Sequence, residues 1–182
     1  MKSSRFTEVV VFVLLLVLGM GASAWAQDGH AIARLRGFEE VPSVSSFAGG
    51  RFHADLVGGE IRYELSYFNT QGGVTQAHIH FAQRGVNGGI VAFLCSNLGN
   101  GPAGTQACPA AGTQGTPAII TGTIRASDVV GVTAQGIGPG EISELMRAIR
   151  AGTAYANVHS TLFPGGELRG QLIFTVDDHE DD

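Results

Sequence analysis

Two stretches of this chain concentrate the residues able to do chemistry. Ala77-His78-Ile79-His80-Phe81 and, far along the chain, Tyr155-Ala156-Asn157-Val158-His159 hold three of its six histidines. Each is a short alternating run followed by a turn-rich connection, a Gly-Gly pair (Gly88-Gly89, Gly165-Gly166) and a further run. Alternate residues of a strand share a face. Gln76, His78 and His80 therefore point one way and Ala77, Ile79 and Phe81 the other, while Tyr155, Asn157 and His159 oppose Ala154, Ala156 and Val158. If the two strands are neighbours, three imidazoles converge on one patch. Such a set suits copper or zinc, which take imidazole nitrogen, with copper ahead in the Irving–Williams order. His53, in Arg51-Phe52-His53-Ala54-Asp55, is the candidate fourth ligand. Asn157, Glu167, Arg169 and Arg84 are candidates to surround and orient the ligands, and an arginine close by would favour neutral imidazole. Storage or delivery of a metal would need a site open to solvent, with release by imidazole protonation below roughly pH 6.

The same residues support a metal-free alternative. The three histidines, with Asn157, Glu167 and Arg169, can form a hydrogen-bonded network that fixes two loops over a sheet. In that reading Arg169 pairs with Glu167 on its own face, Arg84 with Glu60, Glu64 or Glu167, and Glu39 and Glu40 are ordinary surface acids, whereas in the metal reading those two are distant candidates. No catalytic residue is assigned: the chain lacks a Gly-x-Ser-x-Gly elbow, a phosphate-cradling glycine loop before a helix and a His-Glu-x-x-His motif. The enzymatic reading left is a copper enzyme handling superoxide, since the His-x-His pattern is similar to the copper ligands of copper–zinc superoxide dismutases. It ranks behind a binding role.

The two histidine segments resemble the CHRD domain family. The resemblance runs from about Ala31 to Val176 and takes in Phe93-Leu94-Cys95, Cys108-Pro109 and Ala148-Ile149-Arg150-Ala151-Gly152. The family is named after the repeats of chordin and is common in secreted bacterial proteins. The resemblance implies an exported module and no agreed activity.

The elements that must position these side chains are mostly strands. Alternation and turn signals mark Ala31–Phe38, Arg51–Val57, Glu60–Asn69, Val74–Phe81, Gly89–Cys95, Ala118–Ala126, Thr153–Ser160 and Glu167–Val176. Gly58-Gly59 signals a tight hairpin, and the 27 glycines supply turns. One segment, Glu141–Arg150, places Ile142, Leu145, Met146 and Ile149 at helical spacing between Pro139 and Gly152. The fold class expected is all-β, an antiparallel β-sandwich or flattened Greek-key barrel of about eight strands with one short helix.

Lys2 and Arg5, the apolar run Val9–Leu18 and Ala24-Trp25-Ala26 read as a cleaved signal peptide over 1–26. The domain then spans 27–176, and 177–182 is an acidic tail, in a periplasmic or extracellular protein with no membrane association after cleavage. Cys95 and Cys108 flank a polar loop; in an oxidising compartment they form a disulfide, the alternative being two thiolate ligands. A net charge of −5 with a single lysine excludes a nucleic-acid partner. The partner is a metal ion or an extracellular protein or glycan, the latter engaged through Tyr63, Tyr67, Phe68 and Phe163 if an aromatic face is exposed. Alternation instead places Tyr63 and Tyr67 in the core.

Overall fold

The computed structural model describes residues 28–177. The signal-peptide expectation and all of the acidic tail beyond Asp177 lie outside the described residues. Nine antiparallel strands form one nearly closed, barrel-like sheet: β1 (Gly29–Arg36), β2 (Gly49–Val57), β3 (Glu60–Phe68), β4 (Val74–Phe81), β5 (Gly89–Ser96), β6 (Ala118–Ile124), β7 (Ala154–Ser160), β8 (Leu168–Gln171) and β9 (Ile173–Val176). Their order is β5-β4-β7-β8-β1-β2-β3-β6, with β9 also paired to β1. The expected fold class therefore holds, with one more strand than anticipated. The run Glu167–Val176 is divided at Leu172, which is buried and donates its N–H to Ala154 O at 2.9 Å. β8 before it pairs mainly with β7, and β9 after it pairs with β1.

Local sequence accounts for the hairpins. Gly58 and Gly59 take φ of 60° and 78° between β2 and β3, the pair of left-handed residues that a type I′ turn demands. β1, β2 and β3 alternate buried and exposed residues along their length. Ala31, Leu35, Phe52, Leu56, Ile61 and Leu65 enter the core from these strands, and Ala77, Ile79, Ala156, Val158 and Leu168 enter it from β4, β7 and β8. Tyr63 and Tyr67 are core residues, as alternation predicts, and each hydroxyl donates to a backbone carbonyl, of Leu94 and Pro109 respectively.

The seam of the barrel lies between the terminal strands β5 and β6. It is bridged by Val130 N–H to Val91 O at 2.9 Å, by an isolated pairing of Ala92 with Val129 and by the Tyr63–Leu94 bond. A disulfide between Cys95 and Cys108 ties the end of β5 to the loop that leads to β6; thiolate ligation by these cysteines is thereby set aside. The helix α1 (Ile142–Arg150) buries Leu145, Met146, Ala148 and Ile149 against β9 and β7. No helix among the described residues is long and apolar enough to cross a membrane.

The disulfide closes a loop of 13 residues in separation, and restricting the unfolded chain over such a loop contributes about 3 kcal/mol. The Cys95→Ser/Cys108→Ser protein is expected to fold with a urea unfolding free energy lower by about that amount. Equal stability of the two proteins would show that the seam is held by its backbone bonds alone.

Candidate metal centre

β4 and β7 are neighbours, in a register that sets Gln76 opposite His159, His78 opposite Asn157 and His80 opposite Tyr155. On the other edge of β7, Asn157 faces Arg169 and Tyr155 faces Gln171 of β8. One face of this three-strand patch packs on the apolar core. The other carries His78, His80, Tyr155, Asn157, His159, Arg169 and Gln171, and all are buried. β7 and β8 are buried at every residue, unlike the alternating β1–β3. The difference comes from loops folded over the polar face.

The three histidines converge as the sequence suggests. Each can offer one nitrogen, and these atoms lie within 4.8 Å of one another. Two metal–nitrogen bonds of about 2.0–2.1 Å span at most about 4.2 Å, and about 3.3 Å at the tetrahedral angle, so side-chain rotation has to draw the widest pair together by about 1 Å. Hydrogen bonds fix the tautomers. His80 Nδ1 lies 3.0 Å from Gly88 O and His159 Nδ1 lies 3.0 Å from Pro164 O. A carbonyl only accepts, so both rings carry their proton on Nδ1 and present a lone pair on Nε2. His78 Nδ1 sits 3.2 Å from His159 Nε2 and must therefore donate to it. That leaves His78 Nε2 and His80 Nε2 as buried acceptors with no partner among the described residues.

Two glycines are required by this arrangement rather than by their turns. A Cβ on Gly88 would lie 1.9 Å from Phe81 O, so only glycine lets the Gly88 carbonyl reach His80. Gly166, at φ 129°, faces Glu40 Oε1 and Asn157 Nδ2 at 2.6 and 2.9 Å from where a Cβ would stand. The Gly-Gly pairs that read as turn punctuation are thus parts of the site.

Arg169 secures the loop over the cluster. It is fully buried, with its guanidinium carbon 3.5 Å from the centroid of Tyr155. It donates to Asn87 Oδ1 at 3.0 Å and to Val86 O at 2.6 Å. Tyr155 in turn lies parallel to His80 at 4.7 Å, and its hydroxyl accepts from Gly88 N–H at 3.3 Å. The expected Arg169–Glu167 pair is not formed; arginine spends its donors on loop carbonyls, and a single stacked ring replaces the carboxylate.

The remaining expected residues separate. Asn157 Nδ2 donates to Glu40 Oε1 at 2.6 Å and to Leu168 O at 2.8 Å. Glu167 is buried but turned to Ser46 Oγ (2.6 Å) and Gln71 N–H (2.8 Å), so it anchors two connections and contacts none of the histidines. Arg84 is an exposed ion-pair partner of Glu39, and Glu60 pairs with Arg125 instead. His53 does not join the cluster. It lies exposed on β2, stacked on His30 at 6.0 Å and 3.7 Å from Asp55. Position explains this: β2 is three strands from β7 in the sheet order.

Glu40 is the residue that sequence reasoning missed. The reading of a Glu39-Glu40 pair as surface acids holds for Glu39 only. Glu40 is 7% exposed, and burial pushes its carboxyl up to about 7 against the opposing influence of the Asn157 hydrogen bond and the Arg169 charge. Nothing in its neighbourhood signals this, because alternation stops at Arg36 and the burial comes from contact with β7.

Burial likewise drives the imidazoles down. His78 falls to about 3, with the charges of His159 and His80 adding to desolvation. His80 falls to about 4 by burial, opposed by the Gly88 carbonyl and helped by His159 and Arg169. His159 is lowered by burial, opposed by the Pro164 carbonyl. All three are neutral donors at pH 7. Acid release near pH 6 from an open site, the sequence expectation, does not fit imidazoles this buried.

A family model described as CHRD domain matches residues 32–172. No curated protein and no solved structure matches the chain.

The lowered histidines make the fold acid-sensitive. A histidine held below its unfolded pKa contributes stability above about 6.5 that is lost as pH falls toward the folded value, at up to about 1.4 kcal/mol per pH unit. Glu40, held above its unfolded value, acts in the opposite sense between 4.5 and about 7. Three groups outweigh one, so the urea midpoint should fall from pH 6.5 to 4.5, and less steeply in a His78→Phe variant. A midpoint that is flat or rises on acidification would contradict neutral buried histidines.

Proposed function

The chain belongs to the CHRD domain family, and we propose that it is an exported binding module whose histidine cluster holds one transition-metal ion, copper in preference to zinc. CHRD domains are extracellular or secreted modules, and a disulfide fits an oxidising compartment. The observation that carries the metal reading is the pair of buried, partnerless Nε2 lone pairs on His78 and His80 beside His159. A buried acceptor without a partner costs about 1–3 kcal/mol, and coordination would remove that cost at two positions. Support also comes from the carbonyls of Gly88 and Pro164, which act as the outer partners that orient metal-bound imidazoles.

In this reading His78, His80 and His159 are the ligands, with His159 Nε2 exchanging its hydrogen bond from His78 Nδ1 for the metal, and the fourth position is left to water or a small exogenous ligand. Neutral imidazoles bind without having to lose a proton. Glu40 and Arg169 act through Asn157 and Tyr155 to keep the ligand-bearing strands and loop in place. The preference for copper rests on imidazole ligation and the Irving–Williams order. Redox turnover would also need a small oxidant to reach a metal held by histidines that are buried, so we assign binding rather than catalysis.

A metal-free packing network is the competing reading, favoured by the 3.2 Å His78–His159 hydrogen bond. It leaves both Nε2 atoms unsatisfied, which places it second.

The test is metal content and copper titration of tag-free protein isolated from the oxidising compartment. One equivalent of copper should bind and raise the melting temperature. His80→Ala should weaken binding at least a hundredfold, and His53→Ala should leave it unchanged, with circular dichroism confirming that both variants are folded. Equal copper uptake by a His78/His80/His159 triple alanine protein would refute the site, and no uptake by the parent protein would make the cluster structural.

A further inference from the structure

The outward face of β1, β2 and β3 breaks a local rule of sheet design. Arg34 and Arg51 stand directly opposite each other in the β1–β2 ladder, where like charges repel. Arg36 follows Arg34 by two residues on the same face. All three side chains are exposed, and none forms a hydrogen bond or ion pair with another described residue. This happens in a chain whose 16 carboxylates outnumber its 11 basic residues. A fold that had only to be stable would place one of those carboxylates between them.

The arginines line an open groove of about 780 Å³, in which Glu64 is the one carboxylate. A second concavity of about 440 Å³ shares Arg34, Arg51, Glu64 and Ser66 and extends the groove past Ile32 and His53. Phe38 and Phe47, 68% and 91% exposed, stand along the wall formed by the 37–48 connection. The same connection sends Glu40 to the histidine side, and Arg36 pairs with Arg169 in the β1–β8 ladder, so the groove borders the covered face that carries the cluster.

We propose that this groove binds a linear acidic polysaccharide, with Arg34, Arg36 and Arg51 gripping carboxylates of successive uronate units and Phe38 and Phe47 stacking on sugar faces. Guanidinium groups match carboxylates in paired hydrogen bonds. Two adjoining concavities that share Arg34, Arg51, Glu64 and Ser66 suit a polymer rather than a compact ligand. An acidic peptide can be held by an arginine cluster or, when extended, by adding a strand to a free sheet edge, and only the first of these modes is open to it on this face. Here β1, β2 and β3 are each paired on both sides and offer no free backbone. A stiff polyuronate also loses less conformational entropy on binding than a peptide does.

Calorimetric titration with a polyuronate hexasaccharide tests the assignment, with a neutral glucan hexamer and hexaglutamate as comparison probes. Polyuronate alone should bind, and Arg34→Ser/Arg51→Ser should weaken it at least tenfold. Arg34→Glu should abolish binding while raising the melting temperature, because it removes the cross-strand repulsion; this readout also shows that the variant is folded. The proposal fails if polyuronate does not bind at low salt, or binds the variants undiminished. Equal or tighter binding of hexaglutamate would overturn the glycan assignment in favour of an acidic polypeptide. Alanine variants of His78, His80 and His159 should leave polyuronate affinity unchanged.

Discussion

The guanidinium of Arg169 is removed from water on the polar face of the sheet, and a charge in that position must find its hydrogen bonds within the protein. It finds them in the loop between β4 and β5, at Asn87 Oδ1 and Val86 O, and stacks on Tyr155. Satisfying this one group therefore folds the loop down over β4 and β7. Gly88, in the same loop, is thereby brought to His80 and Tyr155. The enclosure of the histidines, and the desolvation that keeps them neutral, follow from where the arginine puts its donors.

A second constraint is that β7 has no solvent face. Its seven residues are all buried, apolar ones toward the core and Tyr155, Asn157 and His159 toward the loops. A polar residue buried in this way needs a directed partner, and the partners arrive from three separate connections. Glu40 comes from 37–48, Gly88 from 82–88 and Pro164 from 161–166. The loops are held to each other as well, by Asn87 Nδ2 to Val41 O at 2.9 Å and by the Arg84–Glu39 pair. The site is consequently assembled from sequence-distant pieces around a rigid pair of strands, an arrangement that suits precise ligand placement.

The barrel thus divides its labour around the circumference. On β1–β3, alternating exposure gives a face whose side chains reach solvent, and there unpaired arginines and bare phenylalanines lie on the surface. On β4, β7 and β8 the corresponding face is covered and its polar groups are bonded inward. Both faces rest on one apolar core, closed at the β5–β6 seam by the disulfide and a few backbone bonds. One scaffold of this kind can carry a buried small-ion site beside an open groove, the two meeting where Arg36 pairs with Arg169.

Much of this is written locally. Period-two alternation specified β1 to β7, the Gly58-Gly59 hairpin and the histidine faces, because the strand repeat forces side chains to alternate whatever the partner strand is. Spacing of Ile142, Leu145, Met146 and Ile149 likewise specified α1, and two cysteines around a polar loop specified the disulfide. Which strands are neighbours is a different matter. The sequence alone left open whether His159 meets His78 and His80, and it offered His53 as a fourth ligand. Only the sheet order placed β7 beside β4 and kept β2 away. The burial of Glu40, the stacking of Arg169 on Tyr155 in place of a Glu167 pair, and the reason for glycine at 88 and 166 are also tertiary. Each depends on a loop touching a strand far from it in the chain, and long-range contact leaves no periodic signal in the residues that make it.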